Sequence, residues 1–138
     1  MIGAMRRAML GIPLVVVAVF AASALASSGG SNRIGGCMKS QVKPSTIILF
    51  CGDDGAYVNH IHWSSFGGAT SRGSGIYAFN PCKPDCAASK YKTYSVRLVA
   101  SQAKPCWDAH DDYRLLELVF GAGAPYATQD HSLYCPAG

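Results

Sequence analysis

The stretch AYVNHIHWSSFGGATSRGSGIYAFN, Ala56 to Asn80, alternates, turns and alternates again. Successive side chains on a strand point to opposite faces, so strict alternation predicts a half-buried strand over AYVNHIHWSS. Tyr57, Ile61 and Trp63 then share one face, and Val58, His60 and His62 the other. FGG supplies a tight turn, and ATSRGSGIYAFN returns as the second arm of a hairpin. Gly73 and Gly75 inside that arm mark a bulge or a close approach of backbone.

The flanking segments follow the same grammar. STIILFC is a continuous β-branched and apolar run suited to a central strand buried on both faces. GDDG ends it with a turn signal. PCKPDCAAS is a loop stiffened by prolines and cysteines, YKTYSVRLVAS alternates with Tyr94, Val96, Leu98 and Ala100 on one face, and QAKPCWDAHDD is a polar loop. YRLLELVF sets Leu116, Leu118 and Phe120 together with Glu117 opposite. The remaining GAGAPYATQDHSLYCPAG reads as an irregular tail pinned by Cys135. No stretch carries a helical period. Short strands at roughly 10-residue spacing predict an all-β fold, a small disulfide-stapled β-sandwich or partly open barrel of five to six antiparallel strands.

The N-terminal segment differs in kind. Arg6 and Arg7 precede the apolar run MLGIPLVVVAVFAASALA, which ends in Ala24-Leu25-Ala26. That order is a secretory signal peptide over residues 1–26, with cleavage before Ser27. A membrane anchor would need about 20 apolar residues, and Pro13 interrupts a run already short of that. Ile34-Gly35-Gly36-Cys37 imitates a lipobox, but the polar SSGGSNR separates it from the apolar core. The expected organisation is therefore a signal peptide (1–26), a flexible lead-in (27–43) and one β domain (44–138). Of the 138 residues, 138 less 26, or 112, remain. The twelve Lys and Arg, less Arg6 and Arg7, leave ten against eight acids. Such a weak balance argues against nucleic acid. After cleavage no stable membrane span is expected.

Six cysteines, Cys37, Cys51, Cys82, Cys86, Cys106 and Cys135, lie beyond the leader. An even count in a small exported domain predicts three disulfides and a secreted, extracellular or envelope location. A zinc knuckle needs closer pairs than Cys82-Lys-Pro-Asp-Cys86. Bridged Cα atoms lie within ~7 Å, so bridges form only between cysteines at the same end of a fold. In a simple antiparallel meander Cys82 and Cys86 fall near Cys51, while Cys106 falls near Cys37. The expected pairing is Cys37–Cys106, Cys51 with Cys82 or Cys86, and Cys135 with whichever remains.

PSTIILFCGDDGAYVNHIHWSSFGGATSRGSGIYAFNPCKPDCA, followed by YSVRLVASQAKPC and YRLLELVF, resembles a group of small secreted actinobacterial proteins of uncharacterised function. Their pattern is an apolar strand ending in Cys and Asp, then Trp-x-x-Trp, a Gly-rich strand, Cys-x-Pro-x-Cys-Ala and two further strands. The resemblance runs from Pro44 to about Pro125 and is most specific at Trp63-Ser-Ser-Phe66 and Cys82-Lys-Pro-Asp-Cys86-Ala87. Phe66 stands where a second tryptophan is usual, and Cys37 and Cys135 are additional. The resemblance implies secretion and a β-rich fold, and it transfers no activity.

Three constellations bear on function. His60 and His62, two apart on a strand, could present two nitrogens to one metal ion, with Asp53, Asp54, His110 or Asp112 as a third ligand. Polar residues on the wet face of a strand give the same pattern, and no metal or other cofactor is expected. Asp108, His110, Asp111 and Asp112 gather acid and imidazole in one loop. Neither a nucleophile elbow beside Ser64 or Ser65 nor the ligand spacing of a calcium loop accompanies them. Trp63 and Phe66 flank a turn, either as an aromatic platform or with Trp63 filling the core. Together these predict a non-catalytic binding or interaction module, its partner an extracellular protein or glycan met through Trp63, Phe66, His60 and His62. The alternatives are a metal-dependent hydrolase using His60 and His62, and a protease inhibitor presenting the 81–90 loop with Lys83 or Lys90 outermost.

Overall fold

The computed structural model describes residues 32–52 and 55–136; the segment expected to be a signal peptide (1–26), Asp53 and Asp54 lie outside them. Among the described residues all regular structure is β. The strands are β1 (Arg33–Gly35), β2 (Ser40–Gln41), β3 (Ile47–Ile48), β4 (Ala56–Ser65), β5 (Ser71–Phe79), β6 (Lys92–Ser101), β7 (Lys104–Pro105), β8 (Asp111–Tyr113), β9 (Leu115–Phe120) and β10 (Thr128–Ser132). No helix among the described residues is long and apolar enough to cross a membrane.

Six strands form one antiparallel sheet in the order β10-β9-β6-β5-β4-β3. The sheet curls into a half-barrel that brings its two edges together, with the Phe50 ring 6.1 Å from that of His131. The inner face follows the predicted alternation. On β6 Val96, Leu98 and Ala100 are buried, and on β9 Leu116, Leu118 and Phe120. The β5–β6 register is unbroken from Ser71↔Ala100 to Phe79↔Lys92. Each buried valine, leucine or phenylalanine here contributes about 1.5–3 kcal/mol.

A smaller sheet, in the order β2-β1-β8-β7, covers one part of this core. It arises where the chain leaves β6, makes the β7–β8 hairpin and re-enters the main sheet at β9 through Arg114. The Arg114 amide donates to Ser101 O, and Arg114 O accepts from the Leu133 amide. β1 lies parallel to β8, the one parallel pairing in the described fold. Ile34 of β1 and Tyr113 of β8 are both buried in the common core.

Four expectations need correction. From Asn32 onward the lead-in is structured: β1 and β2 belong to the domain, because Ile34 finds an apolar place between the sheets. STIILFC is an edge, not a centre. Its ladder with β4 is short, Ile47 and Ile48 flanked by single backbone bonds at Ser45 and Leu49, and Ile48 and Phe50 are exposed. The tail contains β10, which pairs with β9 over Thr128–Ser132.

The fourth concerns the cysteines. All six are bridged, as Cys37–Cys51, Cys82–Cys86 and Cys106–Cys135, and none is free. The meander over β4, β5 and β6 is real, but the pairing drawn from it is not. Residues 38–46 fold back and carry Cys37 to 5.4 Å from Cys51, Cα to Cα. The 80–89 loop closes on itself through Asn80, which accepts from the Cys82 amide and donates to Cys86 O. Cys106, on the β7–β8 hairpin, meets the chain just beyond β10. With its sulfur in a disulfide, Cys37 carries no thioether lipid. Three intramolecular bridges are the mark of an oxidising compartment.

Candidate binding surface

β4 departs from its alternation at His60. Asn59 pairs with Ile76 and His62 with Ser74, so His60 and Ile61 together oppose the single residue Gly75. This is a β-bulge, and His60 takes φ +50° within it. The extra residue puts Val58 and Ile61 on the same buried side, whereas simple alternation had put them on opposite faces. The close approach expected at Gly73 and Gly75 is present, Gly75 facing this bulge and Gly73 lying between it and a second register shift at Trp63/Ser65. A Cβ on Gly75 would lie 2.9 Å from Asn59 O, and one on Gly73 2.8 Å from His62 O.

His60 and His62 are exposed on the outside of β4. Among the described residues no group of three His, Cys, Asp or Glu is placed to hold a metal ion. Two of the three loop acids are committed elsewhere. Asp108 pairs with Arg33 at 3.5 Å. Asp112 is fully buried and accepts from Ser40 Oγ across the small sheet. Asp111 and His110 are exposed.

Trp63 and Phe66 are half-buried and pack on the core. Their rings meet edge to face at 5.0 Å, and Phe66 continues to Tyr113 at 6.0 Å. Trp63 Nε1 donates to Pro44 O at 2.9 Å. These contacts occupy both rings in joining β4 to the segment before β3 and to β8, which leaves little of either for a platform.

The two most exposed aromatic side chains among the described residues lie beside the smaller sheet instead. Trp107 is 81% exposed, Tyr134 75% and Met38 89%. Trp107 and Tyr134 line one open cleft with Arg114 and the Cys106–Cys135 bridge, and Trp107 and Met38 line the next with Arg33 and Asp108. Met38 also borders a largely apolar groove of about 470 Å³ between the β1–β2 hairpin and the 44–52 segment, with Ile47 and Ile48 on its far wall. The backbone under Trp107 is held: the Cys106 amide donates to His110 O, the Ala109 amide to Cys106 O, and Arg114 Nη2 to Pro105 O. Trp107 sits in a segment whose composition reads as polar loop, so neither alternation nor motif singles it out. Its adjacency to a bridged cysteine is the signal that could have.

Lys83 and Lys90 are exposed, yet they line an open cleft beside the main sheet together with Tyr94 and Tyr126. The 81–90 loop thus borders that concavity. Two side chains inside the half-barrel have shifted acidities. Burial, with a smaller effect of Tyr126, pushes the Tyr77 phenol up. Burial lowers the His131 imidazole against a weaker opposing pull from Asp130. Comparison with models of known families, with curated proteins and with solved structures found no match to this chain.

Proposed function

We propose that this chain is a secreted or envelope-associated binding module, without chemistry of its own, that meets an extracellular protein or glycan through the surface around Trp107, Tyr134 and Met38. The observation that carries the reading is the exposure of Trp107 on a loop braced by a disulfide. Covering large apolar side chains otherwise left in water is favourable, and a braced loop loses little entropy on binding. Tryptophan and tyrosine are also the residues that most often dominate binding energy. The apolar groove beside Met38 continues the same surface and widens the area a partner could cover.

The test compares the mature protein with a Trp107→Ala/Tyr134→Ala variant as bait in culture fluid and envelope extract. A partner retained by the wild type and lost by the variant, at equal melting temperature, supports the reading. Equal retention by both removes the surface from consideration. Export is tested separately, by intact mass: Ser27 should be the first residue of protein recovered outside the cell.

A further inference from the structure

The inner face of the half-barrel does not end where its aliphatic core ends. Along β6 the inward positions run Ala100, Leu98, Val96, Tyr94 and Lys92, and along β5 they run Ser71, Gly73, Gly75, Tyr77 and Phe79. The interior thus changes from aliphatic to aromatic toward one end, and there it opens. Tyr77 and Phe120 lie 5.2 Å apart, Tyr94 and Phe120 6.4 Å, Phe120 and Tyr126 5.4 Å, and Phe79 and Tyr126 6.3 Å. Tyr126 comes from the β9–β10 connection and closes the cluster from the far side. The mouth above these rings is a cleft of about 670 Å³.

Its rim is cationic. Lys92 ends the inward row of β6, Lys90 precedes it, and Lys83 leans in from the loop closed by Cys82–Cys86. No acidic side chain lines the cleft, and among the described residues none of the three lysines makes an ion pair. Asp85, nearest in sequence, accepts from the Ala88 amide at 2.8 Å. Three like charges held around one opening repel one another unless an anion lies between them, and cationic clefts with apolar walls concentrate anions.

We propose that this mouth is a binding site for an anionic sugar: a pyranose ring seated against Phe79, Tyr94 and Tyr126, with its carboxylate or ester anion held by Lys83, Lys90 and Lys92. The rings present faces of negative potential, which suit the weakly positive C–H face of a pyranose. Each ammonium has three donors and no fixed plane, so the site accepts carboxylate, sulfate or phosphate without demanding bidentate geometry. Barrel mouths are a recurrent place for such sites. The site lies apart from the Trp107 surface and stands whether or not that surface binds anything.

The experiment is titration calorimetry of the mature protein with oligogalacturonate, a sulfated oligosaccharide, a neutral galactose oligomer of equal length, and polyglutamate. At least one anionic oligosaccharide should bind, and the carboxylated and sulfated arms identify which anion is preferred. The neutral oligomer should bind at least tenfold more weakly. Lys83→Gln/Lys90→Gln/Lys92→Gln should lose tenfold or more in affinity. Tyr126→Ala should weaken binding while Tyr126→Phe retains it, with circular dichroism unchanged throughout. Four results would overturn the proposal: no binding by either anionic oligosaccharide, equal binding of the neutral one, equal binding of polyglutamate, or full affinity in the lysine variant.

Discussion

The Ser71 hydroxyl and the Tyr113 phenol, 42 residues apart, lie 2.7 Å from each other where the two sheets meet. Tyr113 spends its single proton on Gly68 O at 2.6 Å, so Ser71 must be the donor between the two hydroxyls. Ser71 Oγ in turn accepts from the Gly67 amide at 3.0 Å. The chain of bonds ties β5 to β8 and holds the β4–β5 turn against both.

Tyr113→Phe should therefore destabilise the fold by about 1–3 kcal/mol, since the Ser71 hydroxyl loses its acceptor in a fully buried place. Tyr134→Phe, at an exposed position, should stay within about 0.5 kcal/mol of wild type. Urea unfolding of the two variants measures the difference. Equal stabilities would mean that the buried hydroxyl network adds nothing.

The bulge in β4 makes opposite demands on the two residues that face each other across it. Gly75→Ala should cost about 1–3 kcal/mol, because the new methyl meets the Asn59 carbonyl, which the sheet holds in place. His60→Gly should change stability by less than about 0.5 kcal/mol. Relief of the left-handed conformation is offset there by the greater freedom of glycine in the unfolded chain. Thermal unfolding of both variants is the check, and a tolerated Gly75→Ala would argue for a regular strand.

His131 should make stability fall with acid. Its folded-state pKa is lowered by burial, so the unfolded chain takes up the proton first. The contribution is complete above about pH 6.5, the ordinary value, and is lost as pH falls below it until the folded-state pKa is passed. Urea midpoints measured between pH 8 and pH 5 should drop more steeply for wild type than for His131→Gln. Parallel curves would remove His131 as the cause.

The three bridges should differ in worth according to the loops they close. With 29, 14 and 4 residues of separation, chain entropy gives about 3.6 kcal/mol for Cys106–Cys135, 3.0 for Cys37–Cys51 and 1.9 for Cys82–Cys86. Paired Cys→Ser variants should lose stability in that order. Non-reducing peptide mapping should find these three pairs and no Cys37–Cys106 link.

Strand existence was legible because it is local. Alternation at Tyr94 to Ala100 and at Leu116 to Phe120 follows from backbone geometry and needs no partner. The glycines at 73 and 75 announced crowding before any neighbour was known. An even cysteine count in a domain with a leader-like segment was enough to imply bridges. What sequence could not supply is which distant groups share a place in space. His60 carries no mark of a bulge, since the residue count across a ladder depends on both strands. Ile34 looks like part of a linker until β8 offers it a buried position. The cysteine pairs were decided by how residues 38–46 fold back and by a hairpin inserted between β6 and β9. The same insertion lifts Trp107 into solvent, and curling of the main sheet gathers Phe79, Tyr94 and Tyr126 beneath Lys92. Local sterics set the strands; the closing of long loops around a shared apolar interior set everything that brings them together.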